Sequence, residues 1–257
     1  INTNPWANVA AKYESNKFLI SDTEEYICEA DRSFIDAYNG KARVEERLQL
    51  NVPAYPWYGN PLTAKVIVLS LNPGYDERES TIARIIQNLP ELLTAGYTEH
   101  LCRMLRFDVN GFLPSDEKHN GISDRDIANL HQRWYWIDRL NRALVNVRNC
   151  LTFEDVNKRF AVIEYLGYSS KSKPAKCLNS LLPSQLYTRQ LIQYILHHNE
   201  DTVFIVARSE SEWRRFLGDE WDDSRFIVSK AYRGQHISEK SLGEVGYAKV
   251  INAFKSK

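Results

Sequence analysis

Val66 to Leu69 are aliphatic without a break, the composition of a strand buried on both faces in a parallel sheet. The run leads into Asn72-Pro73-Gly74, a turn that continues neither a strand nor a helix. Beyond it Ile82, Ile85, Ile86 and Leu89 are spaced to share one helical face. The strand pattern returns at Phe160–Leu166, Thr202–Ala207 and Phe226–Ser229. Between these runs the spacing predicts helices. One follows Ser123 as its cap, with Asp124 and Asp126 at its positive end and a stripe of Ile127, Leu130, Trp134, Ile137, Leu140 and Leu144. Another spans Gln185–His198, and a short one capped by Ser209 stops before Gly218. A last helix closes the chain. Upstream, Tyr26, Ile27, Phe34 and Ile35 predict a helix over Asp22–Tyr38. The stretch NVPAYPWYGN, Asn51–Asn60, reads as loop, as do residues 106–123 and the polar run Gly167–Lys176.

Strands alternating with helices predict an α/β fold, a three-layer α/β/α arrangement around a central, mostly parallel four-stranded sheet. The four strands spread across the chain, so a single domain over residues 1–257 is expected, with 1–55 as a helical extension packed on the core. In such sheets ligands bind at the carboxyl ends of strands, which puts Asn72 where a catalytic amide would sit.

Composition narrows the class without choosing a chemistry. The 257 residues carry 33 basic and 33 acidic side chains, and the apolar share is that of a globular protein. No apolar run approaches the roughly 18 residues of a membrane helix. Ile1–Asn8 is mostly polar and shows no signal peptide, and the start on Ile1 suggests a trimmed chain. A cytoplasmic monomer is expected. The cysteines, Cys28, Cys102, Cys150 and Cys177, form no CxxC pair and read as reduced thiols. His197 and His198 are adjacent and point apart on a helix, so no metal site is expected, and no cofactor. Phosphate-loop, nucleophile-elbow and HExxH motifs are absent. Charge is segregated: Lys171, Lys173, Lys176 and Arg189 lie in an acid-free stretch, and the region after Arg225 is basic. Two such segments would suit a phosphate backbone, or are simply solvated lysines.

The string PWYGNPLTAKVIVLSLNPGY, Pro56–Tyr75, resembles the first motif of the uracil-DNA glycosylase superfamily. It is closest to the mismatch-specific and single-strand-selective branches, whose first strand ends in Gly-x-Asn-Pro-Gly. Here Ser70 replaces the leading Gly. The superfamily's last motif, a His-x-Ser loop, is similar to His236-Ile237-Ser238, though without its usual prolines. The likeness covers Pro56 to about Ser241 and implies that superfamily's fold, with DNA as partner. It implies a monofunctional DNA glycosylase that flips a base out and cleaves its N-glycosidic bond. The strand before Tyr168 would supply the groups that read the base, often an Asn. None lies here, so the base is either deaminated, such as uracil in repair, or a hypermodified cytosine of phage DNA in anti-phage defence.

The residues bear this chemistry independently. N-glycoside hydrolysis needs a positioned water and donors aimed at the departing base. Asn72 would orient the water through its amide oxygen, and His236 would donate to the base. Leu71, Pro73 and Gly74 would bring the backbone close to substrate, and Tyr75 would wall off or stack on the base. Tyr168, Ser169 and Ser170 would offer hydroxyls to its edge. Ser238, Lys171, Lys173, Arg233 and Lys240 would hold DNA, with Ile237 as a wedge. Asp76 would assist as a base or cap the next helix. Against these stand a plain strand-to-helix turn and a surface-loop histidine. A catalytically inactive nucleic-acid-binding protein of the same fold and a free-nucleoside hydrolase remain alternatives.

Overall fold

The computed structural model describes residues 3–16, 24–75, 91–109, 111, 151–174, 181–231 and 236–256, with the backbone alone for 91–97 and 153–154. Five strands form one sheet: β1 (Trp57–Tyr58), β2 (Val66–Ser70), β3 (Phe160–Glu164), β4 (Val203–Val206) and β5 (Phe226–Val228), in the order β1-β3-β2-β4-β5. Four of them run parallel, with Val66 opposite Phe160 and Val203, and Phe204 opposite Phe226. The two-residue β1 pairs antiparallel with β3. The sheet is therefore mixed and five-stranded, and not the four strands expected. The strand β1 hides in the aromatic loop because two residues are too few for an alternation, and its pairing to Val162 and Ile163 is tertiary.

The described helices are α1 (Ala7–Asn16), α2 (Arg32–Asn39), α3 (Glu91–Leu105), α4 (Phe153–Arg159), α5 (Pro183–His198), α6 (Glu210–Leu217) and α7 (Glu239–Lys255). None is long and apolar enough to cross a membrane. The helix expected over Asp22–Tyr38 starts only at Arg32, after a 3-10 turn at Glu29–Asp31. Residues 24–28 are extended instead, since the Tyr26 N–H bonds to the Leu50 carbonyl at 2.7 Å and the Cys28 N–H to the Tyr168 hydroxyl at 3.1 Å. Gly218 ends α6 in a positive-φ conformation, as its position predicts. Ser209 does not cap that helix with its side chain; it sits left-handed and its hydroxyl meets Lys173. The helices read at Ile82–Leu89 and after Ser123, and the residues Asp76, Cys150, Cys177 and Arg233, lie outside the described residues.

Strands β2 and β3 form the centre of the core, with every residue from Val66 to Leu69 and from Phe160 to Ile163 at most 1% exposed. Trp6, Tyr13 and Tyr26 from the N-terminal segment join the same apolar cluster. One polar node ties that segment to the sheet's loops. Asp31, fully buried, accepts the Tyr168 hydroxyl at 2.7 Å and the Ser184 N–H at 2.9 Å, at the first turn of α5. Burial pushes its carboxyl above the ordinary value, and the bonds from Ser184 and Tyr168 pull the other way.

Replacing Asp31 by Ala would orphan a buried hydroxyl and a helix N-terminal N–H. Urea unfolding is expected to show a loss of about 3 kcal/mol. Adding Tyr168→Phe should recover part of it, since that removes one orphan.

Candidate active site at the carboxyl edge of the sheet

Because β2 to β5 are parallel, their carboxyl ends share one edge. The chain leaves β2 for β3 on one side and later enters β4 on the other. The direction of winding switches at β2, and ligand crevices of open α/β sheets open at that point. Asn72 follows β2 by two residues. The loops holding Tyr168–Ser170, Arg208 and His236 leave β3, β4 and β5 at the same edge.

Asn72 is half-buried and held in one orientation. Its Nδ2 donates to Ser170 Oγ at 2.8 Å, to the Pro73 carbonyl at 3.0 Å and to the Tyr168 carbonyl at 3.4 Å. Carbonyls only accept, so the amide nitrogen must face them. Ser170 Oγ in turn donates to the Ser172 carbonyl at 2.6 Å, which leaves it a lone pair for Asn72. The acceptor Oδ1 receives no bond from the described residues. The two loops are also laced through their backbones: Tyr75 N–H to the Ser170 carbonyl at 2.8 Å, Ser170 N–H to that of Pro73 at 3.3 Å, and Leu166 N–H to that of Leu71 at 2.8 Å. Gly74 is exposed, takes no positive φ, and a Cβ there would meet none of the described residues within 4 Å. Lys171, exposed, carries its Nζ 5.9 Å from the centre of the Tyr75 ring.

Several expected site residues turn inward. Tyr168 is 1% exposed and its hydroxyl is spent on Asp31, so it has none to offer a base. Ser169 is buried, and its carbonyl accepts the Gln49 N–H at 2.8 Å. Ser170 is buried and positions Asn72. Ile237, expected as a wedge, is 2% exposed within the core and does not project. Ser238 caps α7, its Oγ accepting the Ser241 N–H at 3.3 Å. His236 is half-buried, and its carbonyl accepts the Ser241 hydroxyl. Lys173 meets Glu212 at 3.2 Å, while Lys240 is exposed in the first turn of α7.

One group escapes the sequence reading. Glu164 ends β3 and pairs in register with Ser70, two residues before Asn72. It is 3% exposed, and burial pushes its carboxyl up to about 8, against the opposing pull of a Ser70 hydrogen bond and the Arg208 charge. Its Oε2 is buried without a hydrogen-bond partner among the described residues. The only signal is a charge closing the apolar run FAVIE, which also fits a plain strand end.

A separate open cleft of about 540 Å³, lined by Lys12, Glu24, Glu25, Arg32 and Asn39 among others, shares no residue with this edge. Its charges are paired at 2.9 Å (Lys12–Glu24) and 2.6 Å (Arg32–Glu25). Among the described residues no three His, Cys, Asp or Glu side chains group to hold a metal. Against known proteins, the chain matches no family model, no curated protein and no solved structure.

A carboxyl raised from 4.5 to about 8 on folding stays protonated where the unfolded chain has ionised. Its stabilising effect is complete below 4.5 and is lost as pH rises towards 8. The unfolding free energy of the native protein relative to Glu164→Gln should therefore fall by about 3 kcal/mol from pH 5 to pH 8. Paired denaturant titrations at the two values measure this, and the raised Asp31, common to both proteins, cancels.

Proposed function

We propose that the chain is a DNA glycosylase that hydrolyses the N-glycosidic bond of a flipped-out base and leaves an abasic site. The observation that carries this is the amide of Asn72, its donor side consumed by Ser170, Pro73 and Tyr168 and its acceptor oxygen, at the winding switch of the sheet, receiving no bond from the described residues. An acceptor fixed in that way can hold a water by one of its hydrogens and aim the water's lone pair. The amide does not itself take up the proton. Parallel strands in the predicted places and the likeness of the Asn72 and His236 motifs to uracil-DNA glycosylases support the same reading.

In the reaction the bond between C1′ and the base nitrogen breaks, and its electron pair leaves on the base. The water oxygen bonds to C1′ and gives up a proton to solvent, and the base acquires one. His236 donates to the base as charge gathers there. Gly74, exposed and without a side chain, lets the sugar or phosphate approach the backbone, and Lys171 and Lys240 hold the flanking backbone. The work is cytoplasmic, on a deaminated base in repair or on a hypermodified base of phage DNA in defence.

Duplexes and single strands carrying uracil, mismatched thymine, hydroxymethylcytosine or glucosylated hydroxymethylcytosine, scored by alkali cleavage, test the activity. Excision of at least one is expected. Binding without excision would point to the inactive binding protein, and hydrolysis confined to free nucleosides to the third reading. Asn72→Ala should lower single-turnover excision by on the order of 100-fold or more while costing about 1–2 kcal/mol of stability. Gly74→Ala should melt like the native protein, because its Cβ meets none of the described residues, yet bind substrate DNA more weakly in a titration.

A further inference from the structure

The loop after β3 carries most of what orients Asn72. The Ser170 hydroxyl at 2.8 Å and the Tyr168 carbonyl at 3.4 Å, both acceptors for the amide nitrogen, belong to it. The Ser170 hydroxyl is itself aimed by the Ser172 carbonyl at 2.6 Å, so the place of Ser172 decides where the lone pair for Asn72 points. Ser172 is held on one side by the Glu45 carbonyl, which accepts its N–H at 2.8 Å and its hydroxyl at 3.2 Å. On the other side the next residue does the holding. Lys173 crosses to the start of α6, where its Nζ donates to Glu212 Oε1 at 3.2 Å and to Ser209 Oγ at 3.3 Å.

Both partners are shaped for that contact. Glu212 is 8% exposed, and the Ser211 hydroxyl donates to its other oxygen at 2.7 Å. Burial pushes its carboxyl up, yet the bonds from Ser211 and Lys173 together hold it below the ordinary value. Ser209 takes a left-handed φ of 59°, a region serine enters at a cost, and leaves its own helix without a side-chain cap while its hydroxyl meets the lysine. A lysine with a half-exposed side chain is also suited to a DNA phosphate. One ammonium does not serve both, because leaving Glu212 for a phosphate strands a buried carboxylate beside the DNA.

We propose that Lys173 is a positioning residue: anchored on Glu212 and Ser209, it sets the loop after β3 so that Ser170 and Tyr168 hold the Asn72 amide, and it does not hold DNA. The three loops at the sheet's edge then act as one unit, α6 bracing the loop after β3 and that loop orienting the residue after β2. The proposal rests on the glycosylase reading for its rate measurements, and on structure alone for the rest.

The experiment compares the native protein with Lys173→Met, Lys173→Arg, Glu212→Gln and the Lys173→Met/Glu212→Gln pair. Single-turnover excision at saturating duplex should fall about tenfold or more in Lys173→Met and in Glu212→Gln, since a small displacement of a positioned group is costly. The double variant should lose no more than either single one, because both remove one contact. Lys173→Arg, which keeps the ion pair, should recover most of the rate. Duplex affinity should stay within about twofold of native, with the same dependence on salt. Affinity that falls in Lys173→Met with a salt slope smaller by about 1, and rises in Glu212→Gln, makes the lysine a phosphate contact and overturns the proposal. Native rates in both single variants overturn it too. If Glu212→Gln fails to fold, Lys173→Met against Lys173→Arg decides. Without DNA, the Asn72 side-chain amide signals, assigned by their loss in Asn72→Ala, should exchange with water faster in Lys173→Met and regain native exchange in Lys173→Arg. Unchanged exchange overturns the proposal. If the native protein excises no base, the glycosylase reading fails and the amide exchange still decides this one.

Discussion

The edge of the sheet that carries Asn72 depends on one buried carboxyl that belongs to neither loop. Asp31 receives the Tyr168 hydroxyl and the N–H of Ser184, while Tyr168 receives the N–H of Cys28. Three segments far apart in sequence thus meet at one point: the extended stretch before α2, the loop after β3 and the first turn of α5. An acid at the first turn of a helix also sits where the macrodipole favours it. Around this node the loop after β3 is held from the N-terminal side by backbone bonds, Gln49 to Ser169, Tyr55 to Gly167 and Ser172 to Glu45. Its other side holds Asn72. The N-terminal segment is therefore the back wall of the site.

Two buried carboxyls stand in instructive contrast. Both are raised by burial. Asp31 is bonded on both oxygens, to Ser184 and Tyr168, and its role is accounted for by the segments it joins. The Oε2 of Glu164 has no hydrogen-bond partner among the described residues. Desolvation alone does not distinguish the two. What separates them is whether the bonding capacity is spent.

Much of the fold was legible because β2 to β5 are short unbroken apolar runs, each within two residues of its predicted bounds. Failures came where tertiary contacts overrode local pattern. Helical spacing at Tyr26 and Ile27 lost to a backbone bond with Leu50, and Trp57 and Tyr58 became a strand only because β3 offered an edge. In the site, Asn72 was legible because a turn residue after a buried strand has few places to go. The direction of a side chain within a motif was not. Tyr168 and Ile237 lie in the predicted loops yet face the core, since a loop held between two others has an inside as well as an outside. Glu164 was missed because a charge closing an apolar run looks the same whether it enters solvent or the core.

The polarity of the edge follows from these positions. Asn72 is bonded through its donors and its acceptor oxygen receives no bond from the described residues, whereas burial pushes the Glu164 carboxyl upward. Had both groups been amides, each would need its own set of anchors to fix which end faces the ligand, as Asn72 needs Ser170, Pro73 and Tyr168. A carboxyl kept neutral by burial needs fewer, because the cost of charge in the core, and not a cage of partners, decides that it donates. That difference matches the bonding seen at the two residues, three hydrogen bonds on the Asn72 amide and none on Oε2 of Glu164 among the described residues.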